Sequence, residues 1–302
     1  MAENKSNLKK KLLLIVNPVA GKKQMAKSLS EVVDIFTKGG YIVTVLPTTG
    51  AGDAREYAKC YGGDFDLICC SGGDGTLGET ASGLVDAGLD IPLGYLPSGS
   101  TNDFATFHGI SSDVITAANN IVNGVPKAID VGVFNDTCFI NSIEFGAFTW
   151  QAYTTSQRLK NIIGGKAYFL EAIKDLNRLR SEHFRFEIGE EEFVGDYIFG
   201  VMAVSCSIAD KALKNFKQPV IADDGLIEIA LVKKPTSLPD RDNLVTALRN
   251  GDPNTKFIQF CRYDSMIMES TQPVDWNVDG EKKTVTGIHE IKVLKQRIKL
   301  VC

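Results

Sequence analysis

Residues 67–79 read Leu-Ile-Cys-Cys-Ser-Gly-Gly-Asp-Gly-Thr-Leu-Gly-Glu. The apolar run at the start of this stretch predicts a short buried strand, and apolar residues at helical spacing beyond it predict an amphipathic helix. A glycine turn between a strand and a helix N-terminus is a site for anions, because the backbone is accessible and free N–H groups point outwards. Asp74 lies inside this turn. A carboxylate in that position indicates a phosphate that is bound together with Mg²⁺ rather than a bare anion.

Working outward, residues 1–126 alternate between predicted strands and helices, which favours a parallel sheet covered by helices. The loops that follow the strands carry most of the polar and glycine residues. In a parallel sheet these loops all lie at the carboxyl edge, where α/β proteins bind their ligands. The other three predicted strands are Lys11–Val16, Tyr41–Leu46 and Ile91–Leu96.

The pattern changes after Pro126, where short strands at close spacing predict an antiparallel sandwich or barrel. We therefore expect an α/β fold in which an N-terminal parallel-sheet nucleotide-binding domain, residues 1–126, precedes a C-terminal antiparallel β-sandwich domain, residues 127–302.

The composition limits the classes of function. The net charge of −4 over 302 residues gives no electrostatic case for nucleic acid. The seven cysteines are odd in number and form no CxxC pair, which favours a reduced, cytoplasmic setting. The apolar run Leu12–Val16 is too short for a signal-peptide core, and no run in the sequence is long enough to span a membrane.

Two familiar phosphate motifs do not explain the glycine turn. Residues 73–78 match G-x-G-x-x-G, but a dinucleotide site would place this turn after the first strand, with an acidic residue about 20 positions later. Here the turn follows the third predicted strand, and no acid ends the next strand before Pro97. The P-loop pattern is absent. A dehydrogenase is therefore disfavoured, and phosphate binding requires another cradle.

Polar residues in the neighbouring loops are candidates for that cradle. Asn17, Gly21, Thr48 and Ser100 could donate to a nucleotide, although each taken singly is more typical of a turn residue than of a ligand. The pair at 102–103, Asn-Asp, is either a helix cap or a second acidic site beside the glycine turn.

Two acidic turns stand out in the second half of the chain. The turn Ala222–Leu226 is either a plain turn or an oxygen-rich site for Mg²⁺ or Ca²⁺. Asp279-Gly280 suits a hairpin turn, and if this turn faces the nucleotide loops, Asp279 or Glu281 could accept a proton from a substrate hydroxyl.

Taken in order, these segments resemble the diacylglycerol kinase catalytic-domain family, most closely its soluble bacterial lipid kinases. Gly-Gly-Asp-Gly-Thr alone is shared with NAD kinases and phosphofructokinases, whereas the loop at 97–105 is much more specific to lipid kinases. The resemblance is carried by Asn17-Pro18-x-Ala20-Gly21, Gly52-Asp53-Ala54, Gly72-Gly73-Asp74-Gly75-Thr76-Leu77, Pro97-x-Gly99-Ser100-x-Asn102-Asp103-Phe104-Ala105, Asp224-Gly225 and Val278-Asp279-Gly280-Glu281.

The resemblance implies that ATP lies in the cleft between the two domains and gives its γ-phosphoryl group to a lipid hydroxyl, with diacylglycerol the favoured acceptor and phosphatidic acid the product. It implies that Asp74 and Asp103 organise the phosphates and Mg²⁺, and that Asp279 or Glu281 is the general base. A structural Mg²⁺ would be held by Asp224 and the carbonyls of Ile221 and Leu226. The residues implied to line ATP are Asn17, Pro18, Val19, Ala20, Gly21, Thr48, Gly72, Gly73, Asp74, Gly75, Thr76, Leu77, Gly78 and Ser100.

Two other hypotheses remain open at this point. An NAD kinase-like enzyme would phosphorylate a soluble nucleotide, and a non-catalytic regulator would bind nucleotide or lipid without turnover. The family resemblance also implies a homodimer that meets its lipid substrate at a membrane surface, and no basic amphipathic helix is evident for permanent docking.

Overall fold

The structure is a computed structural model, and it describes residues 10–21, 24–146, 180–205, 220–250 and 255–302. The chain forms two compact units, one made of Met1–Val131 with Leu294–Cys302 and the other of Gly132–Val293. The sequence pattern places the border near Pro126 and assigns residues 127–302 to the second domain. The strand Lys127–Phe134 belongs to both compact units, since its residues up to Val131 lie in the first unit and the rest in the second.

The first unit alternates strands and helices in the order that the sequence pattern predicts. Apolar runs give the strands, and helical spacing of apolar residues gives the helices between them. A short 3₁₀ turn precedes the third strand. The elements are β1 (Lys10–Val16), α1 (Gln24–Lys38), β2 (Tyr41–Pro47), α2 (Asp53–Tyr61), the 3₁₀ turn (Gly62–Asp64), β3 (Leu67–Gly72), α3 (Asp74–Asp86), β4 (Leu93–Pro97), α4 (Asp103–His108) and α5 (Val114–Asn123).

The sheet of the first unit has the order β2-β1-β3-β4, and every neighbouring pair is parallel. The interior strands are buried on both faces, which explains why β1 and β3 read as continuous apolar runs rather than alternating ones. Leu300 and Val301 add a further parallel pairing beside β4. Helix α2 packs closely on α3, where a Cβ at Gly83 would lie 2.3 Å from the Arg55 carbonyl oxygen. The α/β class is thus confirmed.

The second unit is built almost entirely from strands among the residues described. Strands such as β8 and β12 alternate buried and exposed residues, because they bury only one face. The elements are β5 (Lys127–Phe134, shared with the first unit), β6 (Thr137–Phe139), β7 (Ser142–Gly146), β8 (Glu182–Ile188), β9 (Glu191–Ala203), β10 (Ile227–Lys233), α6 (Leu238–Asn250), β11 (Ile258–Tyr263), β12 (Ser265–Val278) and β13 (Glu281–Val301, whose end belongs to the first unit).

Antiparallel pairings close four of these strands into a ring. The long strand β9 pairs with β8 through its first half and with β7 through its second half. The long strand β12 does the same with β8 and β7. Aromatic side chains fill the interior of this unit, among them Phe145, Phe184 and Trp276, whose rings lie 4.4–6.0 Å apart. Val278, the last residue of β12 before the turn that carries Asp279, is part of this packed interior.

Candidate active site

Four strand ends of the first unit lie side by side. Val16 is in register with both Pro47 and Ser71, and Gly72 is in register with Pro97. The loops that follow β1, β2, β3 and β4 therefore begin at one edge of the sheet. Backbone bonds continue the pairing into these loops: Asn17 N–H donates to Ser71, Thr48 N–H to Val16 and Ser98 N–H to Gly72, each at 2.8 Å.

Glycines let the loops at this edge approach one another. A Cβ at Gly72 would lie 2.3 Å from Thr76 Oγ1, and a Cβ at Gly99 would lie 2.4 Å from the Cα of Gly73. Gly75 differs, because a Cβ there would meet no atom within 4 Å, and the residue is exposed in the first turn of α3. Gly72 and Gly99 are thus required by packing, whereas Gly75 leaves an open approach to the helix N-terminus.

Asp74 is the residue that joins the two acidic loops. Its Oδ2 accepts the N–H of Asp103 at 2.9 Å, and its Oδ1 accepts the N–H of Phe104 at 3.2 Å. These N–H groups belong to the first turn of α4 and have no partner inside the helix. Asp74, on α3, therefore caps α4 from outside, a role that the sequence reading had considered for the Asn102-Asp103 pair.

Because Asp74 caps α4, the side chain of Asn102 makes other hydrogen bonds. Its backbone is left-handed, with φ 53°, and its side chain makes no capping bond to the helix. Instead, Asn102 Oδ1 accepts the N–H of Gly99 at 3.1 Å and the hydroxyl of Tyr95 at 3.2 Å, while its amide donates to the Gly99 carbonyl at 3.2 Å. The loop between β4 and α4 is locked by its own amide side chain.

The two carboxylates Asp74 and Asp103 share one electrostatic environment. Burial raises the pKa of Asp74, and the charge of Asp103 raises it further, while the N–H groups of Asp103 and Phe104 lower it. The net direction is upward, so the ionised form of Asp74 is disfavoured where it stands. A cation placed between the pair would reverse this balance, since opposite charge favours the ionised form.

The remaining residues implied to line ATP lie at the same edge with different accessibility. Asn17 donates to Thr76 Oγ1 at 3.2 Å and accepts the N–H of Val19 at 3.1 Å. Leu77 is buried, and its N–H donates to the Gly73 carbonyl at 3.2 Å, so it contributes packing at this point. Pro18, Val19, Gly21, Gly75 and Ser100 are exposed, whereas Ala20, Thr48, Gly73 and Gly78 are half-buried.

Glu79, on the same helix as Asp74, is a capping residue that the sequence analysis does not single out. Its Oε1 accepts the N–H of Gly52 at 2.8 Å, and its Oε2 accepts the N–H of Ala54 at 3.2 Å. It caps α2 in the way that Asp74 caps α4. Asp53 is not the cap of its own helix, since its side chain turns back to Thr49 N–H at 2.6 Å. In the sequence, this capping role is indicated by the position of Glu79 as a second acid, about one and a half turns after Asp74 in the same helix.

In the second unit, Asp279 is held by backbone donors. It accepts the N–H groups of Ile140 at 2.6 Å, Asn141 at 2.9 Å and Ser142 at 3.0 Å, and its own φ is 47°. Both carboxylate oxygens of Asp279 are thus engaged by backbone donors of the segment 140–142. Glu281, two residues later at the start of β13, is exposed. The two candidate bases thus occupy different environments.

The acidic turn at Asp224 lies in the second unit, before β10. Asp224 Oδ1 accepts the N–H of Leu226 at 2.9 Å, and its Oδ2 contacts the guanidinium of Arg262. Ile221 donates its N–H to Glu228 at 3.4 Å. Burial raises the pKa of Glu228 to about 7, although Arg262 opposes this. Among the described residues, no three His, Cys, Asp or Glu side chains come together as a metal site.

The part of the chain that the structure describes contains no helix long and apolar enough to cross a bilayer.

Comparison with known proteins identifies the family. The model of the diacylglycerol kinase catalytic domain matches residues 11–134. The chain is 31% identical over 275 residues to a diacylglycerol kinase of Bacillus subtilis, covering 90% of each chain. It is 28% identical over 279 residues to a diacylglycerol kinase of Staphylococcus saprophyticus, covering 91% of this chain and 90% of the relative.

The fold has solved counterparts. A crystal structure of a candidate diacylglycerol kinase from Bacillus anthracis superimposes with a TM-score of 0.78 at 23% identity, covering 97% of this chain and 96% of the other. At this identity the likeness concerns the fold, while the sequence match to the Bacillus subtilis enzyme concerns the family. The chain belongs to the diacylglycerol kinase family.

Proposed function

We propose that this chain is a lipid kinase that transfers the γ-phosphoryl group of ATP to the hydroxyl of diacylglycerol, giving phosphatidic acid. The observation that carries the proposal is the open glycine turn at the N-terminus of α3, where Gly75 is exposed and Asp74 adjoins Asp103. Phosphoryl transfer needs positioned donors and neutralised charge more than covalent help from the protein. Backbone N–H groups at the helix start would supply the donors, and the two acids would hold a cation that neutralises the charge.

The acids fit Mg²⁺ as the partner of ATP. Mg²⁺ is commonly held by one or two carboxylates together with substrate phosphates. Asp74 and Asp103 would hold the ion, and each oxygen of Asp74 retains a lone pair beyond the backbone bond that it accepts. The ion would neutralise charge on the transferred group. Asn17, Thr48 and Ser100 would orient the nucleotide.

We assign the general base to Glu281 and a positioning role to Asp279. Glu281 is exposed and able to meet a substrate hydroxyl, whereas both oxygens of Asp279 already accept backbone N–H groups. Asp279 would fix the β12–β13 turn and thereby the direction in which Glu281 points. Glu281 would take the hydroxyl proton as the new bond to phosphorus forms.

The overall proposal is tested by a two-acceptor kinase assay on the purified full chain. ATP and Mg²⁺ are supplied with diacylglycerol in mixed micelles or with NAD in solution. Labelled phosphate should appear in the lipid alone. Transfer to NAD without micelles would favour the NAD kinase-like alternative, and ATP binding without turnover on a panel of lipids would favour a regulator.

The base assignment is tested with Glu281→Gln and Asp279→Asn, using Glu191→Gln as a control at another exposed strand end. Glu281→Gln should lower kcat by about 10²–10⁴-fold with unchanged unfolding, which is the usual contribution of a general base. Asp279→Asn should lower the free energy of unfolding. A folded Asp279→Asn with the larger loss of kcat would transfer the role of base to Asp279.

Four finer features belong to the same proposal. The parallel sheet of the first unit would bind the nucleotide, and the antiparallel strands of the second unit would form the β-sandwich that receives the lipid. The protein would act in the cytoplasm, meet its substrate transiently at a membrane surface and form a homodimer. Sedimentation with and without vesicles of phosphatidylcholine containing diacylglycerol would measure both association states.

A further inference from the structure

A partly buried ion cluster occupies the acidic turn of the second unit. Arg262 on β11 is in direct register with Glu228 on β10. Its Nη2 contacts Oδ2 of Asp224 and lies 3.2 Å from Oε1 of Glu228. Glu228 has no exposed side-chain surface, while the side chains of Arg262 and Asp224 are 23% and 24% exposed. One guanidinium therefore serves two carboxylates.

The backbone of the turn is bound into the same cluster. Leu226 N–H donates to Asp224 at 2.9 Å, and Ile221 N–H donates to Glu228 at 3.4 Å. These are the residues at which the family resemblance implied a structural Mg²⁺. Such an ion would bind Asp224, whose Oδ2 contacts the guanidinium and whose Oδ1 accepts the N–H of Leu226, and it would lie beside the positive charge of Arg262. Like charges repel, and the repulsion is stronger at this partly buried site than in bulk water.

We propose that Arg262 replaces the structural Mg²⁺ of the family, so that the second unit carries its own cation and needs no divalent metal at Asp224. An arginine suits this task because its planar group is always charged and bonds to more than one carboxylate. The turn before β10 is thereby fixed to β11 by side chains alone. The inference concerns the stability of the second unit and is independent of the metal that accompanies ATP.

The first test uses the unmodified full chain without nucleotide. Hydrogen exchange of peptides covering residues 220–232 is followed in EDTA and in MgCl₂. An ion bound to the carbonyls of Ile221 and Leu226 would slow exchange in this segment. We expect the same exchange in both solutions, and slower exchange in MgCl₂ would overturn the proposal.

The second test compares Arg262→Met with Arg185→Met. Arg185 is a matched control, because it also faces several carboxylates of the second unit but is exposed. Removing Arg262 leaves the buried carboxyl group of Glu228 without its cation, whereas exposed pairs contribute little. Arg262→Met should lower Tm by about 10 °C in EDTA, and Arg185→Met by about 2 °C. Equal shifts in Tm for the two variants would overturn the proposal. It would also be overturned if Mg²⁺ raised the Tm of the unmodified chain but not the Tm of Asp224→Asn.

Discussion

Replacing Asp74 by alanine separates two roles that one side chain combines. The carboxylate caps α4 through the N–H groups of Asp103 and Phe104, and it is the acid that we assign to Mg²⁺ and phosphate. Loss of a helix cap lowers the free energy of unfolding by about 0.5–2 kcal/mol, and bonds to a charged acceptor raise this figure. Burial disfavours the charged form of Asp74 and therefore offsets part of the stability that these hydrogen bonds contribute. We therefore expect a loss of about 2 kcal/mol for Asp74→Ala.

A loss of that size leaves the fold populated. A domain stable by about 5 kcal/mol would retain about 3 kcal/mol, which corresponds to less than about 1% unfolded protein at 25 °C. Instability alone therefore cannot remove activity. Loss of an electrostatic group at the reacting centre lowers kcat by about 10²–10³-fold or more. Asp74→Ala should thus be folded by urea titration and inactive in labelled-phosphate transfer to diacylglycerol.

Glu79→Ala is the matched control for this experiment. Glu79 also receives two N–H groups, those of Gly52 and Ala54, at the start of another helix. The two variants should lose similar stability, but only Asp74→Ala should lose transfer. The reasoning is refuted if Asp74→Ala retains more than about a tenth of the activity, or if Glu79→Ala loses as much kcat as Asp74→Ala at equal stability.

Three further substitutions test the site and its frame. Gly75→Ala should preserve or slightly raise the free energy of unfolding, because the position is helical and open. It should also raise KM for ATP, because the added methyl group would obstruct the approach of phosphate to this backbone. An unchanged KM would contradict phosphate binding at the glycine turn. Gly99→Ala should lower the unfolding free energy by about 1–3 kcal/mol, since its Cβ would meet the backbone of Gly73, and a urea midpoint equal to that of the parent would contradict the packing. Asp113 caps α5 through Thr116, whose N–H and hydroxyl lower its pKa. Asp113→Ala should therefore cost about 1 kcal/mol at pH 7, with the difference shrinking as pH falls through the lowered pKa; a difference that persists at pH 2 would exclude this origin.

Sequence patterns predicted the helices and strands that depend on residues close together in the chain. The stretch 67–79 folds as a strand, a glycine turn and a helix because apolar spacing and glycine positions act within a few residues. The α/β class followed from the alternation of such stretches. The gathering of the polar loops at one edge followed in turn, because strand ends that share a register bring their loops together.

The contacts that sequence reasoning missed join residues far apart in the chain. Asp74 meets α4 about 30 residues later, and no local pattern says which acid will cap that helix. Arg262 meets Glu228 only through the register of β10 and β11. The sequence suggested Asp224 as a ligand for a metal, but the competing guanidinium could be found only after the strands were paired.

The pairing of Leu300 and Val301 with β4 bears on the order of events at the ribosome. The first unit is discontinuous, since the whole of Gly132–Val293 is synthesised between its two segments. A nascent chain that has reached only residue 293 therefore presents β4 with one of its hydrogen-bonding edges uncovered. Such an edge attracts other unpaired strands and the chaperones that shield them. Completion of the parallel sheet of the first unit is thus delayed until the second unit has emerged, and translational stalling in that interval would expose the chain to aggregation.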